Sequence, residues 1–517
     1  MRMKKSVKRF FVFIILLLIC MILYSINKEK GLLNNLILED ENVGQTENVE
    51  NYEKIINISL VNVDTFNPIL TKNTDVINFL NLVYDSLFYY DKEMKLKSNI
   101  VEEYNYNANT LFIRIKKDIL WSDGTEFTTK DINFTIEMIK QYGGIYLSCI
   151  DNIETIEIID NWNIKFVLKE PNNLKHYSLI FPIMCQKYYE NEAFDVSTRN
   201  NIPVGTGIFR YGEKVSDTVH IYKLNAFKNT QNIKIEQITV NMYSTVGEAF
   251  ANLKNKKTDI VNTGLTNYEE HLGTIGYGKL EYANNTFLCL GINKNNSYLS
   301  NVNIRKSINE VIDKQAIWQN VYNSKGIISQ SNIYPNSYYY QNEEYVYNVD
   351  KAKQDFVNSN ISDNIVLNLV IKENNEKHTN ISNMLKEYLN KLNIKLNVIS
   401  VNNTEYAKRL QEKNYDLVLV NFDMPRVIDF NMYYSDKYNG LFNLNNEQIR
   451  TKISNINDEN SLKEVMNEIQ NIILNDIPFI GIGFEKGTVL SNNNLIGLSN
   501  VNYLSIYYDI NTMYKKR

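Results

Sequence analysis

The sequence predicts an α/β protein with more than one domain. Residues 365–422 carry that reading most clearly. Apolar runs and amphipathic stretches alternate there as strand (365–371), helix (381–392), strand (394–401), helix (404–413) and strand (417–422). This order implies parallel pairing through crossover connections. Residues 111–139 read as a strand, a turn and a capped helix, and the 517 residues of the chain suffice for two or three sizeable cores.

The elements follow in chain order. Arg2, Lys4, Lys5, Lys8 and Arg9 precede an apolar run at 10–26, and Lys28 and Lys30 follow it. A basic flank with an apolar stretch is an export feature. The run spans about 25 Å at a helical rise of about 1.5 Å per residue, the low end for crossing a bilayer. No small-x-small cleavage site follows it. Leu18 and Ile19 stand before Cys20 where a lipidated cysteine is preceded by small residues, and Met21, Ile22 and Leu23 continue the run, which disfavours a lipid anchor. A retained helix with its basic end inside and the remainder outside is expected. Residues 31–53, with Glu39, Asp40, Glu41, Glu47 and Glu50, read as an acidic tether, and the folded region opens with a strand at 55–61.

Leu111, Ile113 and Ile115 alternate with Arg114 and Lys116, the period of a half-buried strand. Trp121-Ser122-Asp123-Gly124 breaks the alternation with turn residues. Thr128 and Asp131 have the spacing of a capping box, and Ile132, Ile136 and Ile139 give the following helix one apolar face. Residues 153–159 and 164–168 flank Asp160-Asn161 as a strand pair. Residues 239–242 alternate as a strand, and Ser244 or Thr245 is placed to cap a helix carrying Val246, Ala249, Phe250 and Leu253.

A net charge of −4 gives no basic surface for nucleic acid. Cys149, Cys185 and Cys289 form no C-x-x-C pattern and read as buried small hydrophobes, with a Cys149–Cys185 bridge left open. His176, His220, His271 and His378 lie far apart, and no H-E-x-x-H, G-x-S-x-G, phosphate-loop or dinucleotide motif is present. Neither enzymatic activity nor a cofactor or metal is expected. Tyrosine is abundant at 36 residues, most of them expected to be ordinary core and surface residues.

Five blocks, in order, resemble one family. They are Asn67-Pro68 followed by Leu82-Val83-Tyr84-Asp85-Ser86-Leu87; Arg114 with Trp121-Ser122-Asp123-Gly124-Thr125, Thr128 and Asp131; Pro203-Val204-Gly205-Thr206-Gly207-Ile208-Phe209; Asn303-Ile304-Arg305 through Ile312-Asp313-Lys314; and Asp476-Ile477-Pro478-Phe479-Ile480. Together they are similar to the bacterial extracellular solute-binding proteins of family 5, which serve ABC importers of oligopeptides, dipeptides and nickel. Ser86 and Ile208 depart from the glycine and proline common in that family.

The resemblance implies a two-lobed periplasmic-binding-protein-like α/β fold with an additional inserted domain (type II, cluster C). By that analogy residues 54–87, 187–283 and 480–517 form lobe I, 88–186 the inserted domain and 284–479 lobe II. It implies non-covalent capture of a peptide-like ligand, delivery to ABC permease subunits, and a monomer held at the extracellular face of the cell membrane. Nickel or heme complexes, sugars and opines stay open as ligands, and a membrane-anchored sensor or docking protein with the same fold is the alternative role. Thr71 and Asn73 from one lobe, and Phe287 and Asn293 from the other, would line the cleft. Leu288 reads equally as core. Asn439, beside Gly440, is a further cleft candidate.

Peptide-binding members of the family place an aspartate three residues after an aromatic, where it pairs with the peptide α-amine. Here the aromatic is Phe422 and the third residue on is Pro425. Asp423 or Asp429 is left to take that role, Asp429 more nearly matching the aspartate of the family's following Asp-Pro. Arg426 stands where the amine's counterion is expected, able to pair Asp423 or Asp429 or to face a ligand carboxylate.

Overall fold

In the computed structural model the described residues are 52–223, 233–265, 267–273, 276–335, 337–361 and 364–517. Residues 53–517 form one compact unit. The apolar run at 10–26, Cys20 and the acidic tether lie outside the described residues, so the expected anchor does too. Among the described residues no helix is long and apolar enough to cross a membrane.

Among the described residues an eleven-stranded mixed sheet organises this unit. At one edge Val366–Lys372 lies between Lys395–Val401 and Leu417–Asp423, parallel to both. The β-α-β-α-β reading of that stretch is therefore correct, with helices at Glu376–Asn390 and Asn403–Glu412 as connections. Asn375 and Asn402 cap these helices with their side chains, which fixes where each begins. At the other edge Ile55–Val61 runs parallel to Gln237–Tyr243, which pairs with Thr218–Lys223 and, beyond it, Phe209–Val215. Thr245, not Ser244, caps the helix Val246–Lys254.

Two long antiparallel strands, Tyr277–Ile292 and Phe479–Asn492, join these halves. Tyr277 to Ala283 pair with Lys486 to Asn492, beside Ile260–Thr263. Phe287 to Gly291 pair with Phe479 to Phe484, beside Leu417–Asp423. The register slips between Ala283 and Phe287, so the pair is irregular where it passes from one half to the other. Two lobes thus share a single pair of continuous strands.

Residues 101–168 build a separate antiparallel sheet in the order Val101–Asn107, Thr110–Ile115, Asn163–Leu168, Ile153–Ile158. The helix Thr129–Tyr142 buries Ile132, Ile136 and Ile139, and its capping box is formed as the sequence predicts. The Trp121–Gly124 turn is structural. The Trp121 indole is buried and donates to Asp131 Oδ2 at 3.4 Å, while Asp131 Oδ1 accepts from the Gln186 backbone at 2.8 Å. Ser122 N–H donates to the Gly205 carbonyl at 3.0 Å, which joins the tryptophan turn to the Gly205-Thr206-Gly207 turn. A Cβ on Gly205 would fall 1.9 Å from the Val83 carbonyl oxygen, so only glycine fits there.

Cys149, Cys185 and Cys289 are buried and free, as small hydrophobes, and no Cys149–Cys185 bridge forms.

Candidate functional site

The site is built around the segment that leaves the sheet after Leu417–Asp423. Pro425 has no backbone N–H and cannot extend the ladder. The chain then turns through Arg426–Asp429 into a short helix, Asn431–Tyr434. Val427, Phe430, Met432 and Tyr433 bury their side chains and pin the segment down. Asp429 Oδ1 accepts from the Asn431 backbone at 3.1 Å, fixing the turn into the helix.

Two adjoining cavities meet at this segment. The smaller, of about 80 Å³, lies between Tyr90 and Met94, the 424–433 segment, Asn332 to Tyr334 with Ser337 and Tyr339, and Tyr503. The larger, of about 440 Å³, is walled by residues within 81–99, by Ile180, Ile208 and Ile233, and by Leu504 to Asn511. Its volume falls within the range, roughly 300–1,000 Å³, that holds small ligands. Arg426 and Tyr90 line both cavities. Tyr84, Tyr89, Tyr507 and Tyr508 make the larger one an aromatic-rich space with hydroxyl tips. Burial raises the Tyr503 hydroxyl to about 12, and the Arg426 guanidinium is the charge that opposes the rise.

The acids near the segment have partners of their own. Asp429 Oδ2 pairs with Lys437 Nζ at 2.6 Å and accepts from the Tyr438 hydroxyl at 2.8 Å. Burial lowers the Lys437 pKa, but Asp429, with help from Asp151 at 3.5 Å, holds it above the ordinary lysine value. Asp423 is exposed and accepts from Thr286 Oγ1 at 2.8 Å across the strand pair. Asp85, on the wall of the larger cavity, accepts from Thr206 at 3.0 Å and Asn99 at 3.4 Å. Arg426 Nε is buried with no hydrogen-bond partner among the described residues.

The sequence-derived candidates are scattered. Phe422 packs edge-on against Tyr438 at 5.1 Å and Phe442 at 4.8 Å, so Phe422, Asp429 and the 437–440 turn do come together. Asn439 lies in that turn, exposed and left-handed (φ 59°). Phe287 is fully buried among Phe442, Phe479 and Phe484, and Leu288 is buried in the neighbouring core. Asn293 donates to the Lys413 and Tyr415 carbonyls, both at 3.0 Å. Asn73 caps the helix Thr74–Leu80 and donates to the Val61 and Asn62 carbonyls at 2.7 and 2.9 Å. Thr71 is buried and donates to Asp64 at 2.6 Å. Thr71, Asn73, Phe287 and Asn293 line neither cavity.

Tyr90, Tyr334, Tyr503 and Tyr508 were not singled out from the sequence. The available signal was Tyr503, Tyr507 and Tyr508, three tyrosines within six residues of a stretch with neither helical nor strand period. Among the described residues no cluster of histidine, cysteine and carboxylate side chains is arranged to hold a metal. His176 lies between the Tyr104 and Tyr106 hydroxyls, and His378 Nε2 meets Asn421 Oδ1 at 2.8 Å.

Comparison with known proteins agrees with this architecture. Residues 95–440 match the family described as "Bacterial extracellular solute-binding proteins, family 5 Middle". The oligopeptide-binding protein AppA of Bacillus subtilis (strain 168) is 19% identical over 475 residues, covering 84% of this chain and 86% of that one. The crystal structure of a putative peptide binding protein AppA from Clostridium difficile is similar with a TM-score of 0.70 at 18% identity, over 89% of this chain and 100% of the other. The periplasmic binding protein DppA from Helicobacter pylori, in complex with the peptide STSA, is similar with a TM-score of 0.61 at 15% identity, over 90% and 99%. At such identities the solved structures show the shared fold. With the family match spanning about two thirds of its length, and the two-lobed architecture in place, this chain belongs to the bacterial extracellular solute-binding proteins of family 5.

Proposed function

We propose that this protein is the extracytoplasmic solute-binding component of an ABC-type importer. It captures a peptide-like ligand between its lobes and presents the closed form to membrane permease subunits. The observation that carries the reading is the convergence of segments far apart in sequence, 81–90, 424–433 and 503–511, on two adjoining cavities. A concave space of this size, walled by aromatic side chains with a few polar groups, suits the binding of a small ligand. The peptide-like ligand is favoured by the relatives, an oligopeptide-binding protein and a structure holding a bound peptide.

In this reading lobe I comprises residues 54–87, 187–283 and 480–517, the inserted domain 88–186 and lobe II 284–479. The irregular crossover between Ala283 and Phe287 serves as the hinge. Closure is driven only by contacts that ligand makes better in the closed form. The protein works as a monomer at the outer face of the membrane, held there by the 10–26 segment.

Small-angle scattering with and without a pool of synthetic tetrapeptides tests this. Saturating peptide is expected to reduce the radius of gyration, and a mutation in the 424–433 segment to abolish the change. Peptide that binds without compaction would overturn the hinge mechanism, and a pool that does not bind at all would overturn the peptide assignment.

A further inference from the structure

Arg426 is the feature of the cleft that needs an explanation. Its Nε is shut away from water without a hydrogen-bond partner among the described residues, whose buried polar groups are otherwise largely satisfied. The nearby acids do not neutralise it. Asp429 is held by Lys437 and Tyr438, Asp423 by Thr286, and Asp85 by Thr206 and Asn99. No ion pair to Arg426 is present among the described residues. A half-buried guanidinium with no counter-charge costs free energy that a bound anion would recover.

Its position is equally specific. Among the described residues every other wall residue of the larger cavity comes from 81–99, 180–233 or 504–511. Arg426 alone arrives from the 424–433 segment, on the other side of the cleft. An anion resting against the Tyr508 and Ser505 side of that cavity therefore meets one cation among the described wall residues, and it comes from the opposite lobe. The planar fork of arginine suits a carboxylate better than it suits any neutral group.

We propose that the cleft selects its ligand by a carboxylate group, that Arg426 is the residue that binds it, and that this contact draws the lobes together. The proposal rests on the cleft being the ligand site, and it inverts the expectation of an aspartate gripping a free amine. The carboxylate can be the C-terminus of a peptide or the acid of a non-peptide molecule, and the aromatic walls take the apolar remainder in either case.

The test is thermal-shift and calorimetric titration of the full-length wild type, Arg426→Gln and Arg426→Lys. The probes are one tetrapeptide pool in three forms (free, C-terminally amidated, N-acetylated) and a set of aromatic carboxylic acids with their amides. Free and N-acetylated peptides are expected to bind alike, and amidation to weaken binding tenfold or more. Arg426→Gln is expected to erase that discrimination and Arg426→Lys to restore part of it. If only the non-peptide acids bind, the peptide reading falls while the role of Arg426 stands. The proposal is overturned if amides bind as well as acids, if Arg426→Gln keeps the preference, or if no acid of either kind binds. The unliganded melting temperature of Arg426→Gln, expected to equal or exceed that of wild type, guards against loss of folding.

Discussion

Removing the Asp429 carboxylate separates a structural acid from a ligand-binding one. In Asp429→Ala three contacts disappear: the ion pair with Lys437 at 2.6 Å, the Tyr438 hydroxyl at 2.8 Å and the Asn431 backbone at 3.1 Å. The carboxylate is only 7% exposed, so its loss resembles breaking a buried pair, worth about 3–5 kcal/mol. Lys437 is 32% exposed and can recover water, which reduces the cost to about 2–3 kcal/mol. Unfolding entropy scales as roughly 2.1 cal/mol/K per residue, close to 1 kcal/mol/K over residues 53–517, so the melting temperature should fall by about 2–3 °C. Asp429→Asn, which still accepts from Tyr438 and Asn431, should lose about half as much. Differential scanning calorimetry measures the shift, and peptide titration accompanies it. Free-amine and N-acetylated peptides should weaken equally, if at all. A variant that keeps wild-type stability yet specifically loses free-amine peptides would make Asp429 the amine's counterion and refute this reasoning.

Other changes test the framework in the same scan. Arg305 is 3% exposed and donates to the Leu299, Ser300, Asp476 and Ile477 carbonyls and to the Asp476 carboxylate; Arg305→Met should cost about 3–5 kcal/mol, with Arg305→Lys a poor substitute, read as lowered melting temperatures. Gly205→Ala drives a Cβ into the Val83 carbonyl and should destabilise by at least about 2 kcal/mol, whereas Gly264→Ala, with open space at its Cβ, should not. Burial pulls the Lys314 ammonium pKa down to about 7, against the weaker opposing pull of Glu343. Between pH 7 and the unfolded value of 10.5 unfolding therefore takes up a proton, so stability should rise with pH through that window. Lys314→Met should remove that rise, and its advantage over wild type in denaturant titrations should be largest below pH 7 and shrink toward pH 10.5.

Local structure was legible because it is written in neighbouring residues. The Thr128–Asp131 box, the Trp121 turn and the parallel unit at 366–423 each rest on spacings of a few residues. The two long strands were not legible as one continuous pair. Tyr277–Ile292 and Phe479–Asn492 are partners about 200 residues apart, and their buried stretches, Phe287 to Ile292 and Phe479 to Phe484, have no face-to-face alternation to mark them. The cavities were illegible for the same reason, since Tyr90, Arg426 and Tyr508 meet only through tertiary packing. Asn73 and Asn293 show the opposite problem. Asn73 caps the start of its own helix, while Asn293 ties its strand end to the Lys413 and Tyr415 carbonyls from a distant stretch of chain, and analogy of position alone reveals neither role. Arg426 was visible as a charge out of place in the sequence, but its lack of a counterion required the structure.

The most direct test of solute capture is to purify the protein from its native host without denaturation, release whatever is bound, and identify it by mass spectrometry. Capture through Arg426 predicts a set of carboxylate-bearing molecules, short peptides foremost, that is absent from Arg426→Gln prepared in parallel. A ligand without an acidic group, or the same ligand retained by the variant, would contradict it.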